Sequence, residues 1–134
     1  MTRKLTDILL TLGDSSVKPS HQTLVSLSDL NAQEMAQFQA AWSTYGAARR
    51  LELIETLAAL AEDHVELDYR SIFRWALTDA DPAVRVCAIE GLWEDERPLL
   101  IPTFRTLLQR DRADEVRAAA AVALGSFVLW GETG

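Results

Sequence analysis

Apolar residues recur along this chain at helical spacing, and the helical stretches themselves recur. Leu5, Ile8, Leu9 and Leu12 fall on one stripe, which predicts an amphipathic packing helix at the start. Gly13-Asp14-Ser15-Ser16 and Lys18-Pro19-Ser20 then break it, and residues 13–30 read as a packed connector in which 24–27 is too short for a sheet strand. Asn31 and Glu34 have capping-box spacing, with Leu30 and Met35 placed as a hydrophobic staple, so a helix begins there and runs to about Trp42. Ser43-Thr44-Tyr45-Gly46 separates it from a second helix over about 47–61, with Leu51, Ile54, Leu57, Ala58 and Ala61 apolar.

Two more such pairs follow. The second opens at Asp68 as N-cap, carries Ile72, Phe73, Ala76 and Leu77, and turns at residues 78–82, where Asp81 as N-cap and Pro82 at the first helical position start another helix. That helix turns Val84, Ala88 and Leu92 inward and ends in Glu94-Asp95-Glu96-Arg97-Pro98. The third pair runs from Leu100 to Leu108, turns at 110–114, and continues over 116–130; Pro102 is tolerated near its helix start.

The pairs stand in register. Phe38, Phe73 and Phe104 mark the first helices, followed by Trp42, Leu77 and Leu108; Arg50, Arg85 and Arg117 mark the second helices, followed by Leu57, Leu92 and Leu124. A helical hairpin cannot bury its apolar face alone, so copies at this period stack. The expected fold is all-α: an α-solenoid of about three helical hairpins preceded by an N-terminal helix. Residues 1–30 form the helix and connector, and 31–134 one continuous domain with repeats at about 31–66, 67–97 and 98–131.

With 13 basic and 20 acidic residues the chain carries a formal charge of −7, a field that repels nucleic acid and anionic lipid. No apolar run reaches membrane-spanning length. Cys87 is the single cysteine and His21 and His64 the two histidines, so neither an intrachain disulfide nor a histidine-rich metal cage is available. The expectation is a cytoplasmic protein without nucleic-acid or membrane partners and without a cofactor.

Two segments carry a resemblance to a known family. Residues 79–92, beginning Asp79-Ala80-Asp81-Pro82-Ala83-Val84-Arg85, and residues 111–125, beginning Asp111-Arg112-Ala113-Asp114-Glu115-Val116-Arg117, resemble the turn and second helix of HEAT repeats. They are most similar to the short, Ala-rich repeats of phycobilisome lyases. The resemblance covers about 31–125 and is specific in the second and third repeats. It implies a solenoid whose second helices line the concave side and whose Arg50, Arg85 and Arg117 ladder to turn aspartates. The first repeat departs from it, with no Asp-Pro turn and with Leu53 where Ala88 and Ala120 stand, as expected of a terminal capping unit. Ala113 falls where Asp81 caps, a loss of about 1 kcal/mol unless Asp111 or Asp114 substitutes.

A HEAT solenoid usually offers a surface rather than a reaction, so the expected role is a non-catalytic protein-interaction scaffold or assembly module. Trp93, flanked by Glu90 and Glu94, together with Glu55 in register with Glu90, is the candidate partner-binding cluster, for which a basic segment is the natural match. The plain alternative is that Trp93 packs on the next helix. Trp42 and Trp75 read as core, and Cys87 as an inert buried thiol. The last helix has almost no charge after Arg117; Val122, Phe127, Val128 and Trp130 form a candidate edge for self-association, a further repeat or a partner. The rival reading, implied by the lyase resemblance, is a bilin-lyase-like enzyme or chaperone holding a tetrapyrrole in the concavity.

Overall fold

The computed structural model describes residues 4–92 and 100–133, with side chains as far as Ser126. Within them lie eight helices: α1 (Leu5–Leu12), α2 (His21–Val25), α3 (Ala32–Trp42), α4 (Ala47–Asp63), α5 (Arg70–Ala76), α6 (Pro82–Gly91), α7 (Leu100–Arg110) and α8 (Asp114–Thr133). Each of α3/α4, α5/α6 and α7/α8 is a helix, turn, helix unit. The second helices form a layer, α4 packing on α6 and α6 on α8, while α3 packs on α5 and α1 on α3. The chain is an α-solenoid of three hairpins, built as the register requires.

Most of the repeated apolar positions are core, whereas Leu108 is exposed and Leu124 half-buried. Phe38, Phe73 and Phe104 are each 1% exposed, and Val84, Val116, Ala88 and Ala120 are fully buried. Burying one such phenylalanine contributes about 1.5–3 kcal/mol, so the recurring ring is a large part of each repeat's stability. Gly91 packs with equal economy: a Cβ there would meet the Phe73 ring at 2.9 Å.

Helix starts follow the capping chemistry. Asn31 Oδ1 accepts from the Glu34 N–H at 2.8 Å and the Glu34 carboxylate accepts from the Asn31 N–H at 3.0 Å, the reciprocal box anticipated for α3. Asp81 caps α6 by accepting from the Ala83 N–H at 2.9 Å, with Pro82 following. In the third repeat Asp111 Oδ1 accepts from the Ala113 N–H at 2.9 Å and so organises the turn that Ala113 cannot.

Asp68 does not cap α5 as expected. The helix begins after Tyr69, which is drawn into the core with its hydroxyl donating to the Leu24 carbonyl at 2.8 Å. Asp68 instead accepts from the Arg70 N–H and grips the Arg70 guanidinium at 2.9 and 2.8 Å. Those hydrogen bonds outweigh its partial burial and hold its carboxyl down to about 2.

The connector contains a short helix that the pattern did not announce. Ser20 caps α2 by accepting from the Thr23 N–H, and Leu24 and Leu27 are buried. Asp29, at φ 55, turns the backbone into the left-handed region, which aspartate tolerates, and its N–H donates to the Asp68 carbonyl at 2.8 Å.

Arg49 closes the N-terminal side. It stands at the register of Val84 and Val116, yet is 5% exposed; its Nε donates to the Leu12 carbonyl at 2.7 Å and its Nη2 to the Val17 carbonyl at 2.8 Å. Tyr45 adds a hydroxyl bond to the Leu9 carbonyl. A core valine is thus replaced by a side chain that satisfies the backbone of the connector covering it.

Candidate functional site: the second-helix layer and its arginine ladder

The turn-to-helix junctions carry a chain of ion pairs running from repeat to repeat. Arg50 Nη1 donates to the Tyr45 carbonyl of its own turn at 2.6 Å, while its Nε and Nη2 reach Asp79 of the next repeat at 3.0 and 3.2 Å. Arg85 repeats this: Nη1 to the Asp79 carbonyl at 2.7 Å, Nε and Nη2 to Asp111 at 2.8 and 2.9 Å. Asp79 also accepts from the Trp42 indole N–H at 2.7 Å and the Asp81 N–H at 2.9 Å. Burial alone would raise the Asp111 carboxyl, but the Arg85 and Ala113 donors prevail and hold it below its ordinary value.

Arg117 keeps only half of the pattern. Its Nη1 donates to the Asp111 carbonyl at 2.7 Å, but its Nη2 turns to Asp114 on its own helix. Its side chain is 38% exposed, against 15% for Arg50 and Arg85.

Among the expected contact residues, Glu55 on α4 and Glu90 on α6 are both exposed, and the charges of both act on the Cys87 thiol. The thiol is pushed up to about 11, first by burial and then by the charges of Glu55 and Glu90. It is half-buried rather than buried as expected, and the raised value keeps it protonated at neutral pH. Trp93 lies outside the described residues. Val122 on α8 is 73% exposed. Its register is that of Glu55 and Glu90, so the row crossing the three second helices reads acidic, acidic, apolar, and Val122 belongs to it as much as to the end of the stack. The side chains of Phe127, Val128 and Trp130 lie outside the described residues.

Trp42 is buried, as expected of core, whereas Trp75 is half-buried and borders a small cleft with Trp42, Arg50 and Asp79. A larger open groove, about 810 Å³, lies between α1 and α3 rather than on the second-helix layer. Leu9, Leu10, Ala40, Ala41 and Tyr45 line it, with Asp14 at its edge. Leu10, 77% exposed and off the α1 stripe, is the sequence signal that could have located it. Among the described residues no group of three or more His, Cys, Asp or Glu is placed to hold a metal ion, and no helix is long and apolar enough to cross a membrane.

The family model for HEAT repeats matches residues 70–132, spanning the second and third hairpins. Over this stretch, where the Asp79 and Asp111 turns and the complete Arg85 rung lie, the chain is similar to HEAT-repeat proteins. Neither a curated protein nor a solved structure matches the chain.

Proposed function

We propose that this chain is a protein-interaction module that presents its second-helix layer to a partner, and that Glu55 and Glu90 receive a basic segment of that partner. HEAT repeats commonly mediate protein contacts. The observation that supports this surface is a pair of exposed carboxylates, Glu55 and Glu90, at the same register of two second helices that pack on each other, both of whose charges act on Cys87. Trp93, three residues after Glu90 in sequence, is the aromatic anchor of this reading. The role is complementarity without catalysis, in the cytoplasm.

The test is binding of a fluorescent Lys/Arg-rich peptide, followed by anisotropy at two salt concentrations. Glu55→Lys with Glu90→Lys lowers affinity at least tenfold at low salt and reduces the salt dependence. Affinity unchanged by the double reversal removes this surface from consideration.

A further inference from the structure

We infer that the outward face of α8 is a docking surface for a helical hairpin of a partner polypeptide, one built like the second and third repeats and carrying an aspartate in its turn. That aspartate would sit on Arg117 as Asp79 sits on Arg50 and Asp111 on Arg85. The inference stands apart from the Glu55 and Glu90 reading.

The first support is the half-used arginine. Arg50, Arg85 and Arg117 hold their own turn carbonyls at 2.6, 2.7 and 2.7 Å, so all three guanidinium groups are anchored alike at that end. Arg50 and Arg85 then spend Nε and Nη2 on one carboxylate of the following repeat, a fork geometry suited to a carboxylate. Arg117 instead meets Asp114, whose side chain is 90% exposed. Such a solvated pair within one helical turn contributes little and yields readily to a better-placed carboxylate.

The second support is independent of charge. Ile54 and Ile89, on second helices that pack against the next second helix, are 0% and 2% exposed, while Ala121 at the same register is exposed. Leu57 and Leu92 are 0% and 1% exposed, but Leu124 is only half-buried. The face of α8 that bears Arg117, Ala121 and Leu124 is therefore the face that receives the next hairpin in the two preceding repeats. The opposite end of the stack shows how this chain covers such a face: Arg49 turns to connector carbonyls and α1 packs on α3.

The chemistry favours a different polypeptide over a second copy. The turn aspartates of this chain, Asp79 and Asp111, are 3% and 6% exposed and already bound, and the first turn carries Thr44 at that register. Among the described residues, the turns within the hairpins of a second copy have no free aspartate at that register to offer.

A tethered form of the partner tests this: the chain with residues 94–125 present twice in tandem, which places a second Asp111 one repeat beyond the first at high effective concentration. Arg117→Ala should lower the thermal midpoint of the extended chain by about 3–5 °C more than that of the original chain. Replacing the second Asp111 by Ala should give the same loss, without adding to that of Arg117→Ala. A thiol placed by Ala121→Cys, in a Cys87→Ala background, should be labelled at least tenfold more slowly in the extended chain. Equal midpoint losses in both chains, additive losses, unchanged labelling, or an extended chain lacking one cooperative transition would each overturn the inference. So would sedimentation showing that the original chain self-associates and that Arg117→Glu returns it to monomer, since the occupant would then be a second copy.

Discussion

Single residues decide most of what is particular to this protein. Arg85 joins two repeats through a carboxylate that is 6% exposed. Arg85→Ala strands that carboxylate and costs about 2–4 kcal/mol at pH 7, measured by urea unfolding. The sign of its pH dependence follows from Asp111, whose folded carboxyl lies below its ordinary value of 3.8. The stabilisation is complete above that ordinary value and is lost as pH falls through the lowered one. The gap between parent and Arg85→Ala therefore narrows on acidification below about pH 4. Gly91 is limited by volume alone: Gly91→Ala drives a methyl into the Phe73 ring and destabilises by about 1–3 kcal/mol, despite the better helix propensity of alanine. Retained stability in that variant would show that the ring yields.

At the scale of elements, local chemistry made the helices readable. Asn31 with Glu34, and Asp81 with Pro82, are short-range devices whose partners lie within three residues, so their spacing is their mechanism. Asp81→Ala should cost about 1 kcal/mol and fray α6 first, seen as faster amide exchange at Ala83 and Val84. Long-range partners were less legible. The arginine ladder emerged because it repeats, but Arg49 reads in isolation as a surface charge. Only its register with Val84 and Val116 marks it as a core position. Tyr69 displaced the start of α5 from Asp68 by bonding to Leu24, far away in sequence, and no local pattern announces that. The five-residue α2 was hidden because its stability comes from the surface beneath it rather than from its own sequence. Of the candidate site, Glu55 and Glu90 were legible from register, whereas the groove between α1 and α3 arises from packing between elements.

The whole molecule behaves as a row of neighbours. Each hairpin contacts the next through its second helix and one bidentate ion pair, with α3 also packing on α5, an arrangement in which stability is approximately a sum of repeat and nearest-neighbour terms. α6 is held by α4 on one side and α8 on the other, while α8 has α6 and its own hairpin helix α7 among the described elements. Native-state hydrogen exchange should accordingly show α7 and α8 opening at lower free energy than α4 and α6. Uniform protection across the four helices would mean that the molecule unfolds as one unit.

The rungs also have a direction. In each, the arginine belongs to the earlier repeat and the aspartate to the later one; Trp42 donates to Asp79 in the same sense. On the ribosome, a finished hairpin therefore emerges with its donors already poised, and each new turn brings the acceptor to them. At about 5–20 residues per second a repeat appears roughly every two to six seconds. That is ample time for one hairpin to seat before the next arrives, so the polarity of the ladder matches the order of synthesis.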